Sequence, residues 1–174
     1  VRRLLPSAAR RAVGPFVFFD HFGPIEASHD DNHDVRPHPH IGLATVTWLW
    51  EGALMHRDSL GSVRKISPGA VNWMTAGRGI VHSERTAAER RVGRDKLHGL
   101  QCWVALPAAK EEIDPSFFHR DADELPQVKD KGVTARVVAG QAFGARSPVV
   151  TASDTIFVDV TMTAGNVIPL DTDY

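Results

Sequence analysis

The chain has 174 residues, a length that suits one domain, with 43 % hydrophobic and 24 % charged residues and a formal net charge of −1. Such a composition excludes a disordered chain and a membrane-spanning one, and without a long basic run it offers no footprint for direct nucleic-acid binding. A lone cysteine, Cys102, excludes an intramolecular disulfide, so the expected location is cytoplasmic.

The first stretch, VRRLLPSAARRAVGPFVFFDHFGP, has the arginines, serine and alanines of a transit peptide. Pro6, Gly14 and Pro15 interrupt any helix there, and the stretch runs straight into the apolar FVFF, so it reads as a strand and turn. The start at Val1 leaves an initiator methionine or a short leader to be expected upstream. Strands are predicted at Phe16–Phe19, Leu43–Trp50, Ala53–Met55, Ser62–Ile66, Val71–Met74, Ile80–Glu84, Leu100–Ala105, Val133–Val138 and Ile156–Thr161. EGA, LGS, SPGA and TAGRG fall between them and carry turn chemistry. Short strands at close spacing, with little 3.6-residue periodicity, predict an all-β sandwich or barrel. The polar segments 85–96 and 107–130, with AAERR and AAKEEID, are each expected to make a turn of helix and no core element. Residues 153–174 begin a fresh strand pattern and then stop, as if a new β unit started there.

HPHIGLATVTWLW, residues 38 to 50, places two histidines at the mouth of an apolar strand. Side chains alternate along a strand, so His38 and His40 share a face. If no bulge at Gly42 breaks the register, Ala44, Val46, Trp48 and Trp50 continue that face, and Thr45 and Thr47 take the other. In GIVHSERT, His82 and Glu84 form a second i, i+2 pair. Two such strands facing across a small barrel would converge three imidazoles and a carboxylate. That set suits a divalent transition metal such as Fe, Mn, Cu, Ni or Zn and leaves open positions in an octahedral shell. The other reading of the same pairs is surface histidines on hairpin ends, or core histidines satisfied by backbone.

The blocks VGPFVFFDHFGP, RPHPHIGLATVTWLWEG, HRDSLG, SPGAVNWMTAGRGIVHSE and HGLQCWVALP occur in that order between residues 2 and 107. Together they resemble the pirin family of the cupin superfamily, and weaker similarity continues to the end of the chain. The resemblance implies an antiparallel cupin, or jelly-roll, β-barrel over residues 1–150, with 151–174 as the truncated start of a second cupin domain. It implies a mononuclear metal, Fe(II) first, held by His38, His40, His82 and Glu84. It also implies a quercetin 2,3-dioxygenase type of activity on a flavonol-like substrate and dioxygen; separately, a carboxylate beside an open metal position can take a substrate hydroxyl proton, which makes Glu84 the candidate general base. Other pirins are nuclear, iron-dependent transcriptional coregulators, or bind metabolic enzymes, so the alternative is a non-enzymatic metal or redox sensor with a protein partner. Cupins in general place a ligand glutamate where this chain has Ala44, and Glu84 replaces that carboxylate as the pirin pattern expects. A second barrel that is absent would leave surface exposed and favour self-association.

Four further groups carry two readings each. His98 shares parity with Leu100, Cys102 and Val104, and either lines the pocket or is a hydrogen-bonded core histidine. His56 and Asp58 make either a catalytic pair or a hairpin-end contact. His29 and His33 lie in an acidic run that reads either as a second cation site or lid beside the HPH entrance, or as a solvated loop. Trp48, Trp50 and Trp73 flank a flat aromatic ligand or belong to the core. Cys102 has no basic neighbour in sequence and is assigned no nucleophilic role.

Overall fold

The computed structural model of the protein describes residues 1–27, 34–87 and 95–169. The chain divides into two compact units, Val1–Asp121 and Ala122–Tyr174. Residue 150, where the sequence places the domain boundary, lies inside the second unit. No described helix is long and apolar enough to cross a membrane.

The first unit contains β1 (Arg2–Leu5), β2 (Phe16–Ala27), β3 (Val35–His40), β4 (Leu43–Glu51), β5 (Leu54–Asp58), β6 (Val63–Ile66), β7 (Val71–Thr75), β8 (Ile80–Thr86), β9 (Asp95–Ala105) and β10 (Ser116–Arg120). They form two antiparallel sheets, a six-stranded one ordered β1-β2-β9-β4-β7-β10 and a four-stranded one ordered β3-β8-β5-β6. This is the all-β, antiparallel cupin barrel expected from the sequence.

Two apolar clusters join the sheets. Met74 and the flanking Phe117 of the larger sheet meet Ile80 of the smaller one. Leu49 of the larger sheet meets Leu54 and Ile66 of the smaller one, with Phe22 and Leu97 alongside. Fully burying one such side chain contributes ~1.5–3 kcal/mol. Thr47 sits on β4 between Thr45, whose cross-strand partner is Met74, and Leu49. A polar layer is therefore sandwiched between two apolar plugs.

The strand predicted from Leu43 is present, but the parity count from His38 into it is corrected. His38 and His40 belong to β3 in the smaller sheet, whereas β4 lies in the larger one. Between them Gly42 adopts φ +67°, a left-handed conformation that costs glycine little. The chain changes sheets at this point and the alternation restarts. The site-facing side of β4 is consequently the odd one, with Thr45, Thr47 and Leu49, and the even side with Val46 and Trp48 points away.

Segment 107–130 also departs from expectation. The expected helical turn is present as a short 3-10 turn at Ala108–Lys110, but β10 forms an edge strand pairing with β7. Phe117 of this strand packs into the core, which overturns the reading of the segment as peripheral. The helical turn expected at AAERR falls mostly outside the described residues. So does the loop carrying His29 and His33.

The second unit holds β11 (Gln127–Asp130), β12 (Val133–Ala139), β13 (Gln141–Ala142), β14 (Ala145–Arg146) and β15 (Phe157–Met162). β11, β12 and β15 form an antiparallel sheet in that order. Lys131 and Gly132 link β11 to β12 with φ of 40° and 83°, the two positive angles that a tight primed hairpin turn requires.

Candidate functional site

β3 pairs antiparallel with β8, placing His38 opposite His82 and His40 opposite Ile80. One potential ligand nitrogen from each of His38, His40 and His82 lies within 4.8 Å of the others. Their ring centroids are 4.5 to 5.0 Å apart. His38 Nδ1 lies 2.8 Å from the Arg36 carbonyl oxygen, so Nδ1–H donates there and Nε2 is left with its lone pair. His82 is 2 % exposed, and neither of its ring nitrogens has a hydrogen-bond partner. Burial first, and then the neighbouring His38, lower His40 to about 4. Burial likewise lowers His82 to about 3, assisted by His38, His56 and His40 and opposed by Asp58. Both imidazoles are thus neutral at pH 7, the form in which nitrogen donates a lone pair.

Glu84 lies two residues along β8 and outside the mutual distance of the three imidazoles, but it lines the same cavity. Burial pushes its carboxyl above the usual range, while a hydrogen bond from Thr47 and the charges of His56 and His38 pull the other way. Thr47 Oγ1 is 2.7 Å from Glu84 Oε1. Thr47 is the residue that the broken parity concealed, since the sequence reading put it on the far face.

The cavity measures about 270 Å³ and is walled by Phe18, Phe22, Leu54, Leu97 and Trp103, with His38, His40 and Glu84 on its polar side. Gln101 also lines it. Trp103 stacks on Phe18 with centroids 4.1 Å apart and meets His40 edge-on at 5.2 Å. The tryptophans weighed from sequence behave differently. Trp48 and Trp73 are 1 % exposed, and neither they nor Trp50 line the cavity. The missed signal was alternation in LQCWV, which puts Gln101 and Trp103 on one face and Cys102 on the other. Cys102 is buried and its thiol is pushed up to about 12, so it is inert at neutral pH.

His98 does not line this cavity. Its Nε2 lies 2.8 Å from His21 Nε2, and the ring of Trp50 is 4.7 Å away. His56 and Asp58 do form a pair, Nε2 to Oδ2 at 2.8 Å. Burial raises the Asp58 carboxyl, but hydrogen bonds from His56, Ser62 and Leu60 outweigh it and leave the group below its ordinary value. The backbone N–H groups of Leu60 and Ser62 donate to Asp58 Oδ1, so the pair closes the β5–β6 hairpin. It also stands behind the site, since the His56 ring is 5.3 Å from His82 and stacks on Phe117 at 4.2 Å.

Comparison with known proteins places the chain in a family. The sequence model of the Pirin family matches residues 1–104. A pirin-like protein of Caulobacter vibrioides is 49 % identical over 100 % of this chain and 61 % of its own length. A Pseudomonas aeruginosa protein, provisionally named a quercetin 2,3-dioxygenase, is 45 % identical over 85 % of this chain and 45 % of its own. Among solved structures, a quercetin 2,3-dioxygenase from Acinetobacter baumannii superposes with a TM-score of 0.85 at 42 % identity, covering 92 % of this chain and 52 % of that one. The chain therefore spans about half the length of the relatives it matches.

Proposed function

This chain belongs to the pirin family, and from that premise we propose that it holds a divalent transition metal and oxidises a flavonol-like substrate with dioxygen. His38, His40, His82 and Glu84 would hold the metal, with iron(II) as the first candidate. The observation that carries this reading is His82, a 2 % exposed imidazole with neither nitrogen satisfied by protein. Leaving buried polar atoms unpaired costs about 1–3 kcal/mol, so an arrangement of this kind is stable only if something else takes the lone pair. Three imidazoles and a carboxylate without any thiolate fit a borderline transition metal better than a structural zinc.

When bound, the metal supplies Lewis acidity toward substrate oxygens and the redox capacity that dioxygen chemistry needs. The protein's own groups do the rest. Glu84 is placed to accept the proton of a substrate hydroxyl, and its burial raises its basicity toward neutral pH, where a general base works best. Thr47 fixes the carboxylate by donating to Oε1. Phe18, Phe22 and Trp103 give flat apolar walls that exclude water and receive an aromatic ring. The quercetin 2,3-dioxygenase name of the Acinetobacter relative supports a flavonol as the substrate class.

Oxygen uptake by metal-reconstituted protein in the presence of quercetin tests this reading. The expected result is oxygen consumption matched by loss of the flavonol absorbance. A fully metal-loaded protein that consumes no oxygen would overturn it and leave a metal- or redox-sensing role with a protein partner.

A further inference from the structure

Thr47 and Gln101 are cross-strand partners on β4 and β9, so both side chains emerge on the site-facing side of the larger sheet. Thr47 Oγ1 stands 2.7 Å from Glu84 Oε1 and 3.1 Å from Gln101 Oε1. A hydroxyl carries one proton and cannot donate to both oxygens at once. A carboxylate only accepts, and the charge-assisted bond is both the shorter and the stronger, so the Thr47 proton belongs to Glu84. Toward Gln101 the hydroxyl then offers only a lone pair. Turning the amide by half a revolution changes no shape and puts Nε2 beside Thr47 as the donor. The amide oxygen of Gln101 is thereby left as a free acceptor.

The other polar side chains around the cavity are committed. Asp20 is bonded by both Arg3 Nε and Nη2, and Arg3 itself lies 4.1 Å over the Phe18 ring. His38, His40 and Glu84 belong to the metal reading. Among the described polar residues lining the cavity, Gln101 is the uncharged side chain outside the metal reading, and its amide oxygen is left open in this orientation.

We propose that Gln101, oriented by Thr47, is the specificity-determining residue of the cavity, its amide oxygen accepting a hydrogen bond from a ring hydroxyl of the substrate. The site then selects polyhydroxylated flat aromatics over analogues that keep only the enol. Thr47 is a positioning residue in this scheme, acting on substrate through Gln101. The inference rests on the reading of Glu84 as a metal-holding carboxylate.

The test is anaerobic calorimetric titration of the metal-loaded full chain with quercetin and with 3-hydroxyflavone, which lacks every hydroxyl but the enol. The readout is the ratio of the two dissociation constants, independent of turnover. Gln101→Leu should reduce the preference for quercetin about 10-fold, the loss of one hydrogen bond. Gln101→Asn, which withdraws the oxygen by one methylene, should do the same and stands in if the leucine variant does not fold. Thr47→Val should lose the preference as well, and Thr47→Ser should keep it, which a purely structural role for Thr47 would not produce. Ratios within twofold of wild type in Gln101→Leu and Gln101→Asn, or equal loss for both compounds, would overturn the inference while leaving the dioxygenase reading in place. A wild type that shows the preference but takes up no oxygen would instead sink the dioxygenase reading alone. Binding of neither compound by wild type would sink both.

Discussion

Two groups of histidines sit on the same barrel, and their difference is instructive. His21 and His98 approach to 2.8 Å between Nε2 atoms, so one ring donates and the other accepts. Both are half-buried and satisfy each other inside the protein. In the other group, His82 is far more deeply buried, yet neither of its nitrogens has a partner. Proximity of imidazoles is common to the two groups and says little. The unmet lone pair in a dry place is what marks a ligand site, because burial without a partner is costly unless a ligand repays it.

The largest effect expected from this contrast concerns Glu84, which is proposed to complete the group around His82. Glu84→Gln keeps size and an oxygen donor but cannot accept a proton. Turnover of quercetin should fall by ~10²–10⁴, the range for a positioned general base, while metal content stays close to wild type. Full turnover in a metal-loaded variant would remove Glu84 from the chemistry.

Metal affinity should separate the two groups next. His82→Ala removes a proposed ligand and should weaken binding by roughly 100-fold, at or above the top of the range seen for groups that merely support a ligand. His98→Ala should leave affinity within about twofold. Titration with Fe(II) or Mn(II) would decide it, and an equal loss in both variants would erase the distinction between the groups.

Stability offers a third measure. Metal at 100 times its dissociation constant adds ~2.7 kcal/mol to the native state. Chelation should therefore lower the melting temperature of wild type and barely affect a His38→Ala, His82→Ala double variant. Similar shifts in both proteins would show that the site holds nothing.

The metal-free protein has its own pH signature. An unfolded imidazole titrates near 6.5, whereas His40 and His82 are lowered to about 4 and about 3 by burial. As pH falls below about 6.5 the unfolded chain takes up protons that the native state refuses, so native stability declines until pH reaches the lowered values. Denaturant midpoints between pH 7.5 and 4 should drop more steeply for wild type than for a His40→Phe, His82→Phe variant. Parallel profiles would contradict the assignment. Metal affinity should fall in acid as well, since only neutral imidazole binds.

The smallest effect belongs to the self-satisfied pair. His98→Phe should cost about 1 kcal/mol, the net worth of one hydrogen bond, with metal binding untouched. A loss of metal in this variant would mean that the two groups are coupled through the barrel wall.

Much of the site was legible before any fold was known, because its key relations are local. An i, i+2 spacing on an extended strand puts His38 with His40, and His82 with Glu84, whatever the rest of the chain does. Short apolar runs and glycine-bearing turns such as SPGA and TAGRG likewise announce antiparallel β-structure without long-range information. In 107–130 the helical turn expected at AAKEEID is present at Ala108–Lys110, but the strand that follows it was not legible. FFHR there is a four-residue patch whose strand character depends on β7 being beside it.

The sequence by itself determined the all-β class, most of the central strands, the two i, i+2 pairs and the likeness to pirins, all of which rest on neighbours a few residues apart. Tertiary structure decided which face of β4 meets the site, that Thr47 and not Val46 touches Glu84, and that Trp103 and not Trp48 lines the cavity. The physical reason is Gly42. Alternation is a rule within one strand, and a left-handed glycine between two strands in different sheets erases its phase. Cross-strand register, which sets Thr47 opposite Gln101 and His38 opposite His82, is a long-range property that no count along the chain contains.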